Sequence, residues 1–311
     1  MLNQITPPGT KIQWAVILRW AGTLVSTGLF IWLIMRQNWD VVIEKASGIP
    51  LWVFVFCTVC FLITYWFNTL RWCCLLWTQN IRITIWQAYR INLAGSFASN
   101  FLPSTIGGDG FRMIAIHPYT SRKSISIGSV ILDRIINMSA MACLLPAPLI
   151  IFGGSLLSII KSSSGSGVSP ALIFIPKKLQ QLFEKSFPKI ISAFQMWSSK
   201  PTSFLYAFLA AWPSNLVQIV PTWMLVNQLG MQASFWQITA IHTIVYFLSV
   251  LPISVNGYGL REVAFITLYT SLGATLEQAS TLAVITRFLM VISTVPGAIW
   301  LSSAITQNLD E

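Results

Sequence analysis

The chain has 311 residues, of which 55% are hydrophobic and only 9% are charged. Soluble domains carry roughly 25% charged residues, so this composition excludes a soluble fold and indicates an integral membrane protein. Nineteen Lys and Arg against nine Asp and Glu give a net charge of +10. The cations fall mainly in short loops, as retention on the cytoplasmic side and contact with anionic lipids predict, so we expect no nucleic-acid partner.

Two apolar runs near the start of the chain are predicted to be transmembrane spans. Residues 14–35 and 51–70 match the ~20 residues that a bilayer requires. The next three charges are Arg71, Arg82 and Arg90, with no acid among them. Because basic loops favour the cytoplasmic side, we expect this loop and the N-terminus to be cytoplasmic.

The next apolar run, residues 91–102, is too short to cross a bilayer and leads into an interrupted stretch at 102–112. Arg122 and Lys123 follow, so basic loops flank the stretch on both sides. This arrangement favours a re-entrant hairpin that enters and leaves on one side of the membrane, although a pair of full spans also fits.

A long apolar run at 125–152 is predicted to kink or end at Pro146 and Pro148. The segment that follows, 153–200, begins rich in Gly and Ser and becomes basic, with apolar residues at helix-like spacing. It is interpreted as a linker that contains an amphipathic helix on the cytoplasmic interface.

Residues 201–260 contain no Asp, Glu, Lys or Arg and have room for two spans, at about 203–225 and 235–251. A second interrupted stretch follows at 251–261, and the last predicted span, 281–304, contains a buried arginine.

The two interrupted stretches have nearly the same sequence. Residues 102–112 read LPSTIGGDGFR and residues 251–261 read LPISVNGYGLR, with Leu, Pro, both final glycines and Arg in common. Proline cannot donate a backbone hydrogen bond and glycine tolerates unwound backbone, which survives in a membrane only when it is buried in protein or lines a wet cavity. Such interruptions at matching places in two halves are typical of transporter binding sites, although ordinary kinks are an alternative. The predicted hinge residues are Pro103, Gly107, Gly108, Gly110, Pro252, Gly257 and Gly259.

We therefore predict an all-α integral membrane protein with about seven to nine transmembrane segments in two pseudo-symmetric halves, each with a broken or re-entrant helix. Residues 1–311 form a single membrane domain in this interpretation. The first repeat half is 1–152, the linker is 153–200 and the second half is 201–311.

Charges inside the apolar runs need partners or a function, because a charge at the bilayer centre costs at least ~2.5–3.5 kcal/mol. The planar guanidinium group of arginine can donate paired hydrogen bonds to phosphate oxygens. Helix N-termini after Gly110 and Gly259 would add N–H donors, so a site for an anionic headgroup is predicted. Neutralisation between helices is an equally weighted alternative for Asp133 and Arg134, whereas a functional role is favoured for Arg112 and Arg261. The candidate substrate-binding residues are Asn100, Asp109, Arg112, Asp133, Arg134, Asn256, Arg261, Glu262 and Arg287.

Three segments and a final arginine resemble the lysylphosphatidylglycerol synthase transmembrane-region family. They are residues 100–112, 129–134 and 251–262, with Arg287 before Pro296 and Gly297. The resemblance implies a flippase-like domain that moves lipids or lipid-linked headgroups between leaflets. In full-length synthases a soluble aminoacyl-transferase domain follows, and since this chain stops at Glu311, no aminoacyl transfer is expected.

The favoured function is a lipid translocase of the bacterial inner membrane, with a membrane phospholipid or lipid-linked molecule as substrate. No catalytic residue, metal or cofactor is expected. One alternative is a membrane transferase that acts on a lipid-linked substrate, with Asp109 or Asp133 as base. Another is a non-catalytic partner of a lipid or glycan synthase, such as a glycosyltransferase, and homo-oligomerisation stays open.

Overall fold

A computed structural model describes residues 39–101, 105–120, 122–153, 201–250 and 259–306. The predicted first span at 14–35 and the predicted amphipathic segment of the linker lie outside the described residues. The tips of both interrupted stretches, 102–104 and 251–258, lie outside them as well.

The described residues are helical almost throughout, which confirms the all-α prediction. Residues 146–153 are also helical, after a turn at 143–145 that precedes the predicted breakers Pro146 and Pro148. The numbered helices are α1 (Trp39–Ser47), α2 (Leu51–Thr78), α3 (Ile85–Phe101), α4 (Thr105–Ala115), α5 (Lys123–Ala142), α6 (Pro201–Gln228), α7 (Phe235–Val250), α8 (Leu260–Ser271), α9 (Leu276–Thr294) and α10 (Pro296–Thr306).

Among the described residues, four stretches are long and apolar enough to cross a membrane, which supports the membrane assignment, while the predicted number of spans stays a prediction. They are Leu51–Thr78, Lys123–Ala142, Thr202–Gln228 and Leu276–Leu301. The distribution of side chains agrees with a lipid environment, because large apolar groups such as Leu205 and Phe288 face outward at 55% and 63% exposure. Several charged side chains are buried instead, among them Arg71, Arg112, Asp133, Glu262 and Arg287.

Helices α2 and α6 pack against each other in opposite directions. Near the start of α2, the Cys57 thiol donates to the Pro221 carbonyl, close to the end of α6, with an S–O distance of 3.8 Å. Near the end of α2, Trp72 shares a buried cluster with Ala207 and Ala211 from the start of α6. The two helices are each 28 residues long, about 42 Å at 1.5 Å per residue, which exceeds the ~30 Å hydrocarbon core.

The same local structure follows both of these helices. Residues Asn80 and Gly230 end them in the left-handed conformation, with φ of 59° and 67°. The next helices, α3 and α7, then begin with the same capping box. Thr84 exchanges hydrogen bonds with Gln87, and Ser234 exchanges them with Gln237, so each box satisfies free N–H groups at a helix start. The matching elements therefore stand 150 positions apart in the sequence and run antiparallel in space.

Helix α4 folds back along α3. A Cβ built on Gly108 would lie 2.4 Å from the Gly95 carbonyl oxygen, and one built on Gly95 would lie 2.8 Å from the Gly108 carbonyl oxygen. Only glycine permits this approach of two helix backbones. On another side of α3, a Cβ on Gly297 of α10 would lie 2.4 Å from the Leu93 carbonyl oxygen, so α3 is held closely between two helices.

Two charges of the predicted cytoplasmic loop lie in helices instead: Arg90 is exposed on α3, and Arg71 is buried in α2. The predicted second span ends at residue 70 and Arg71 is predicted to belong to a cytoplasmic loop, but α2 continues to Thr78 and buries Arg71 at 5% exposure. The reason is that the helix carries an apolar face beyond the arginine, formed by Trp72, Leu75 and Leu76, all fully buried.

Candidate functional site

A polar cavity of about 240 Å³ lies where α3 and α7 end and α4 and α8 pack against them. Its walls combine arginines, a carboxylate, hydroxyl groups and small residues from the two repeated parts of the chain. The lining residues are Asn92, Gly95, Ser96, Ser99, Gly108, Asp109, Arg112, Arg134, Tyr246, Ser249, Val250 and Arg261.

Four of the predicted site residues line this cavity: Asp109, Arg112, Arg134 and Arg261. The two arginines of the repeated motif, which are far apart in sequence, thus face one space. The described lining carries three arginines and one carboxylate, a net charge of +2. A cavity of this size with an excess of positive charge is suited to an anion, because charge interactions are stronger in a partly buried site than in bulk water.

Asp133 lies behind the cavity wall and bridges two arginines. Its Oδ1 accepts from Arg71 Nε at 2.7 Å and its Oδ2 accepts from Arg112 Nη2 at 3.0 Å, while the residue is 2% exposed. Both carboxylate oxygens therefore hold buried guanidinium groups. This geometry favours the neutralising role for Asp133 over substrate contact.

Arg112 is fixed on three sides. Besides the bond to Asp133, its guanidinium carbon lies 4.3 Å from the centre of the Trp72 ring, and Nη1 lies 3.7 Å from Asp109 Oδ1. Its Nε is buried and has no hydrogen-bond partner among the described residues. A buried donor without an acceptor costs about 1–3 kcal/mol.

Arg134 forms an ion pair with Asp109 across the cavity, between α5 and α4. Its side chain is 46% exposed, whereas that of Asp109 is 13% exposed. Asp109 therefore has two arginines beside it, and its carboxylate orients them at the cavity wall. Because Asp109 and Asp133 both hold arginines, the structure offers neither as an unengaged catalytic base.

Glu262 and Arg287 form another ion pair, between α8 and α9. Glu262 Oε1 lies 3.9 Å from Arg287 Nε, and the Glu262 carboxylate accepts from the Gly259 N–H at 2.8 Å. A small space of about 10 Å³ beside them, lined also by Arg261, is near the limit for one water. Arg261 connects this pair to the large cavity, and its Nη2 lies 3.2 Å from Met290 Sδ.

The asparagines and glycines of the prediction have different positions. Asn100 donates to Thr294 Oγ1 at 3.0 Å, between α3 and α9, and Asn256 lies outside the described residues together with Pro103, Pro252 and Gly257. Helix α4 begins at Thr105, so Gly107, Gly108 and Gly110 are helical, and the predicted helix start after Gly110 is wrong. The helix start after Gly259 is correct, with φ of 78° at this glycine.

The sequence pattern missed several polar residues of the site, and three of them, Arg71, Asn137 and Tyr246, are linked by hydrogen bonds. Arg71 was assigned to a loop, and Asn137 and Tyr246 stand in apolar runs without a distinguishing motif. In the structure, Arg71 Nη1 donates to Asn137 Oδ1 at 2.6 Å, and Asn137 Nδ2 donates to the Tyr246 hydroxyl oxygen at 3.0 Å. The apolar residues after Arg71 were the available signal that α2 continues.

No group of three His, Cys, Asp or Glu side chains in the described part of the chain has the arrangement of a metal site. The chemistry that the described cavity residues support is thus hydrogen bonding and charge pairing with an anion.

The chain was compared with known proteins. The model of the family described as "Lysylphosphatidylglycerol synthase TM region" matches residues 19–297. Comparison with curated proteins gives no significant match.

Proposed function

The chain belongs to the lysylphosphatidylglycerol synthase TM-region family, and from this premise we propose that it is a lipid translocase. Its substrate is an anionic phospholipid or lipid-linked headgroup, which it moves between the leaflets of the bacterial inner membrane. The headgroup passes through the polar cavity near the middle of the membrane.

The observation that carries the proposal is that Arg112 and Arg261 line one cavity. Each arginine belongs to one copy of the repeated motif, so the copies supply matching donors to a common space. A guanidinium group donates two parallel hydrogen bonds to phosphate oxygens. The net charge of +2 at the wall offsets the loss of water around a phosphate.

The size of the cavity supports a headgroup as its occupant. At about 240 Å³ it has room for several waters or a headgroup, and it is much smaller than a lipid with two acyl chains. The acyl chains therefore stay in the bilayer while the headgroup crosses.

The hairpin of α3 and α4 and that of α7 and α8 enter the membrane from opposite sides, and rocking of one half against the other exposes the cavity to each side in turn. Transport is driven by an ion gradient, or the lipid moves down its own concentration gradient.

The test is a leaflet-resolved assay in proteoliposomes with fluorescent phosphatidylglycerol. Arg261→Ala and Arg112→Ala are expected to slow transfer by roughly ten- to hundredfold, since each loses charge-assisted hydrogen bonds of about 1.5–3 kcal/mol. Arg82→Ala is the matched control, because this arginine is exposed in the turn between α2 and α3, away from the cavity lining.

Arg112→Ala also frees one oxygen of buried Asp133, so thermal unfolding of each variant is measured in parallel. Arg261→Ala leaves the Asp133 cluster intact and is the decisive variant. Transfer by Arg261→Ala at the rate of Arg82→Ala and of the unmodified protein would refute the site.

A further inference from the structure

The orientation of the Asn137 side-chain amide determines what the Tyr246 hydroxyl can do. Arg71 can only donate hydrogen bonds, so the Asn137 atom that lies 2.6 Å from Arg71 Nη1 must be the amide oxygen. The amide nitrogen therefore faces Tyr246 and donates to its hydroxyl oxygen at 3.0 Å. As an acceptor in this bond, the hydroxyl keeps its own hydrogen for another partner.

The serine hydroxyls of the cavity differ from Tyr246 in this respect. Ser96 donates to the Asn92 carbonyl at 2.9 Å, Ser99 to the Ser96 carbonyl at 2.7 Å and Ser249 to the Val245 carbonyl at 2.7 Å. Each serine hydroxyl therefore donates its hydrogen to a backbone carbonyl of its own helix. Within the described lining of the cavity, Tyr246 is thus the hydroxyl group with a hydrogen that no described atom accepts.

The repeat places Tyr246 at an informative position. Counted from the Trp-Gln pair that opens α3 and α7, Tyr246 corresponds to Ser96 at 150 positions earlier, and both line the cavity. The two residues occupy matching positions in the repeat, but their side chains differ in length. The longer side chain of Tyr246 extends from α7 to α5, where Asn137 holds it, so this side of the cavity has a fixed donor that the other side lacks.

We propose that Tyr246 is a substrate-binding residue, whose hydroxyl donates a hydrogen bond to a phosphate oxygen of the headgroup held by Arg112 and Arg261. Asn137 is a positioning residue for Tyr246, and Arg71 orients the Asn137 amide in turn. This inference rests on the proposed function. Tyr246 adds a neutral donor from α7 to the two arginines. The second half then contributes two of the three contacts to phosphate, from Tyr246 and Arg261, and the first half contributes Arg112.

The test compares Tyr246→Phe with Tyr269→Phe in vesicles of phosphatidylcholine that contain fluorescent phosphatidylglycerol. Tyr269 is a matched control because its hydroxyl is buried without a hydrogen-bond partner among the described residues and it does not line the polar cavity. Tyr246→Phe is expected to slow transfer roughly tenfold through loss of a hydrogen bond to a charged group, whereas Tyr269→Phe keeps the original rate. Calorimetric titration with glycerol phosphate is expected to show a similar loss of affinity for Tyr246→Phe.

Asn137→Ala separates substrate contact from a structural role. It removes the link between α5 and α7 but leaves the tyrosine hydroxyl, so a smaller loss than in Tyr246→Phe supports direct donation. Equal losses in the two variants would overturn the proposal in favour of a structural link. A loss in Arg261→Ala with none in Tyr246→Phe would overturn the role of Tyr246 and leave the proposed function standing. Unchanged transfer in all three variants would refute the cavity as the site, whereas no transfer by the unmodified protein would refute the proposed function itself.

Discussion

At the scale of single residues, burial and pairing separate structural charges from those that face the cavity. Asp133 is 2% exposed and holds Arg71 and Arg112, whereas Arg261 reaches the cavity from a partly exposed position. Buried ion pairs contribute little net stability relative to apolar packing, but the loss of one partner leaves an uncompensated buried charge. The stability of this cluster therefore depends on its carboxylate.

Asp133→Asn is expected to destabilise the protein by about 3–5 kcal/mol, because it leaves buried Arg71 without its counter-charge and Arg112 with only the longer pair to Asp109, at 3.7 Å, while preserving the shape of the side chain. Thermal unfolding in detergent measures the effect. The control is Glu277→Gln, since Glu277 pairs with Lys45 at 3.8 Å with its side chain 62% exposed and is expected to contribute no more than about 1 kcal/mol. Similar unfolding temperatures for the two variants would contradict the assignment of Asp133 as the charge that holds the cluster.

At the scale of secondary structure, the cavity depends on how closely α4 approaches α3. The contact between Gly95 and Gly108 brings the two backbones together and places Asp109 and Arg112 of α4 beside Asn92 and the serines of α3. Glycine has a low helix propensity, so its presence in the middle of α4 is explained by this contact at Gly108. At Gly110 nothing lies within 4 Å of an added Cβ, and no packing reason exists among the described residues.

Two glycine-to-alanine substitutions in the same helix are expected to have opposite effects. Gly108→Ala places a methyl group 2.4 Å from the Gly95 carbonyl oxygen and is expected to lower stability by about 1–3 kcal/mol through overpacking. Gly110→Ala enters open space and is expected to raise stability by roughly 0.5–1 kcal/mol through helix propensity. Thermal unfolding in detergent distinguishes them. A Gly108→Ala protein that is as stable as Gly110→Ala would show that the two helices are further apart than described.

At the scale of the whole molecule, the antiparallel packing of α2 and α6 indicates that the two halves are inverted with respect to the membrane. The turn that follows α2 then lies on one side of the bilayer, and the corresponding turn after α6 lies on the other. The ion pair between Lys45 of α1 and Glu277 of α9 agrees with this direction. Lys45 shortly precedes α2, and next to Glu277 the Gln278 amide donates to the Leu229 carbonyl at the end of α6. This arrangement allows each hairpin to reach the cavity from its own side.

Cysteine labelling in sealed vesicles of known orientation tests the inversion. Arg82→Cys and Gln232→Cys, both at exposed turn positions, are expected to react with an impermeant maleimide from opposite sides. Asp40→Cys is exposed in α1 and is expected to react from the same side as Gln232→Cys. All three are made in a Cys143→Ser background, since Cys143 is exposed. Labelling of positions 82 and 232 from the same side would exclude inverted halves.

The sequence by itself determined the membrane class, the helical architecture, the approximate limits of α6 and α7, the start of α8, and the pair of interruptions with their arginines. These are local properties, because hydropathy, helix breakers and repeated motifs act within a few turns of chain. The burial of Arg71 could not be predicted from such local properties, because its carboxylate partner Asp133 is 62 positions away in the sequence.

Only the tertiary structure decided which charges neutralise one another, that Arg112 and Arg261 line one cavity, and that α2 and α6 run antiparallel. It also revealed Tyr246, whose role depends on an amide 109 positions away rather than on any neighbour in sequence. Such features arise from contacts between helices, and many arrangements of the same apolar helices satisfy the local pattern equally well.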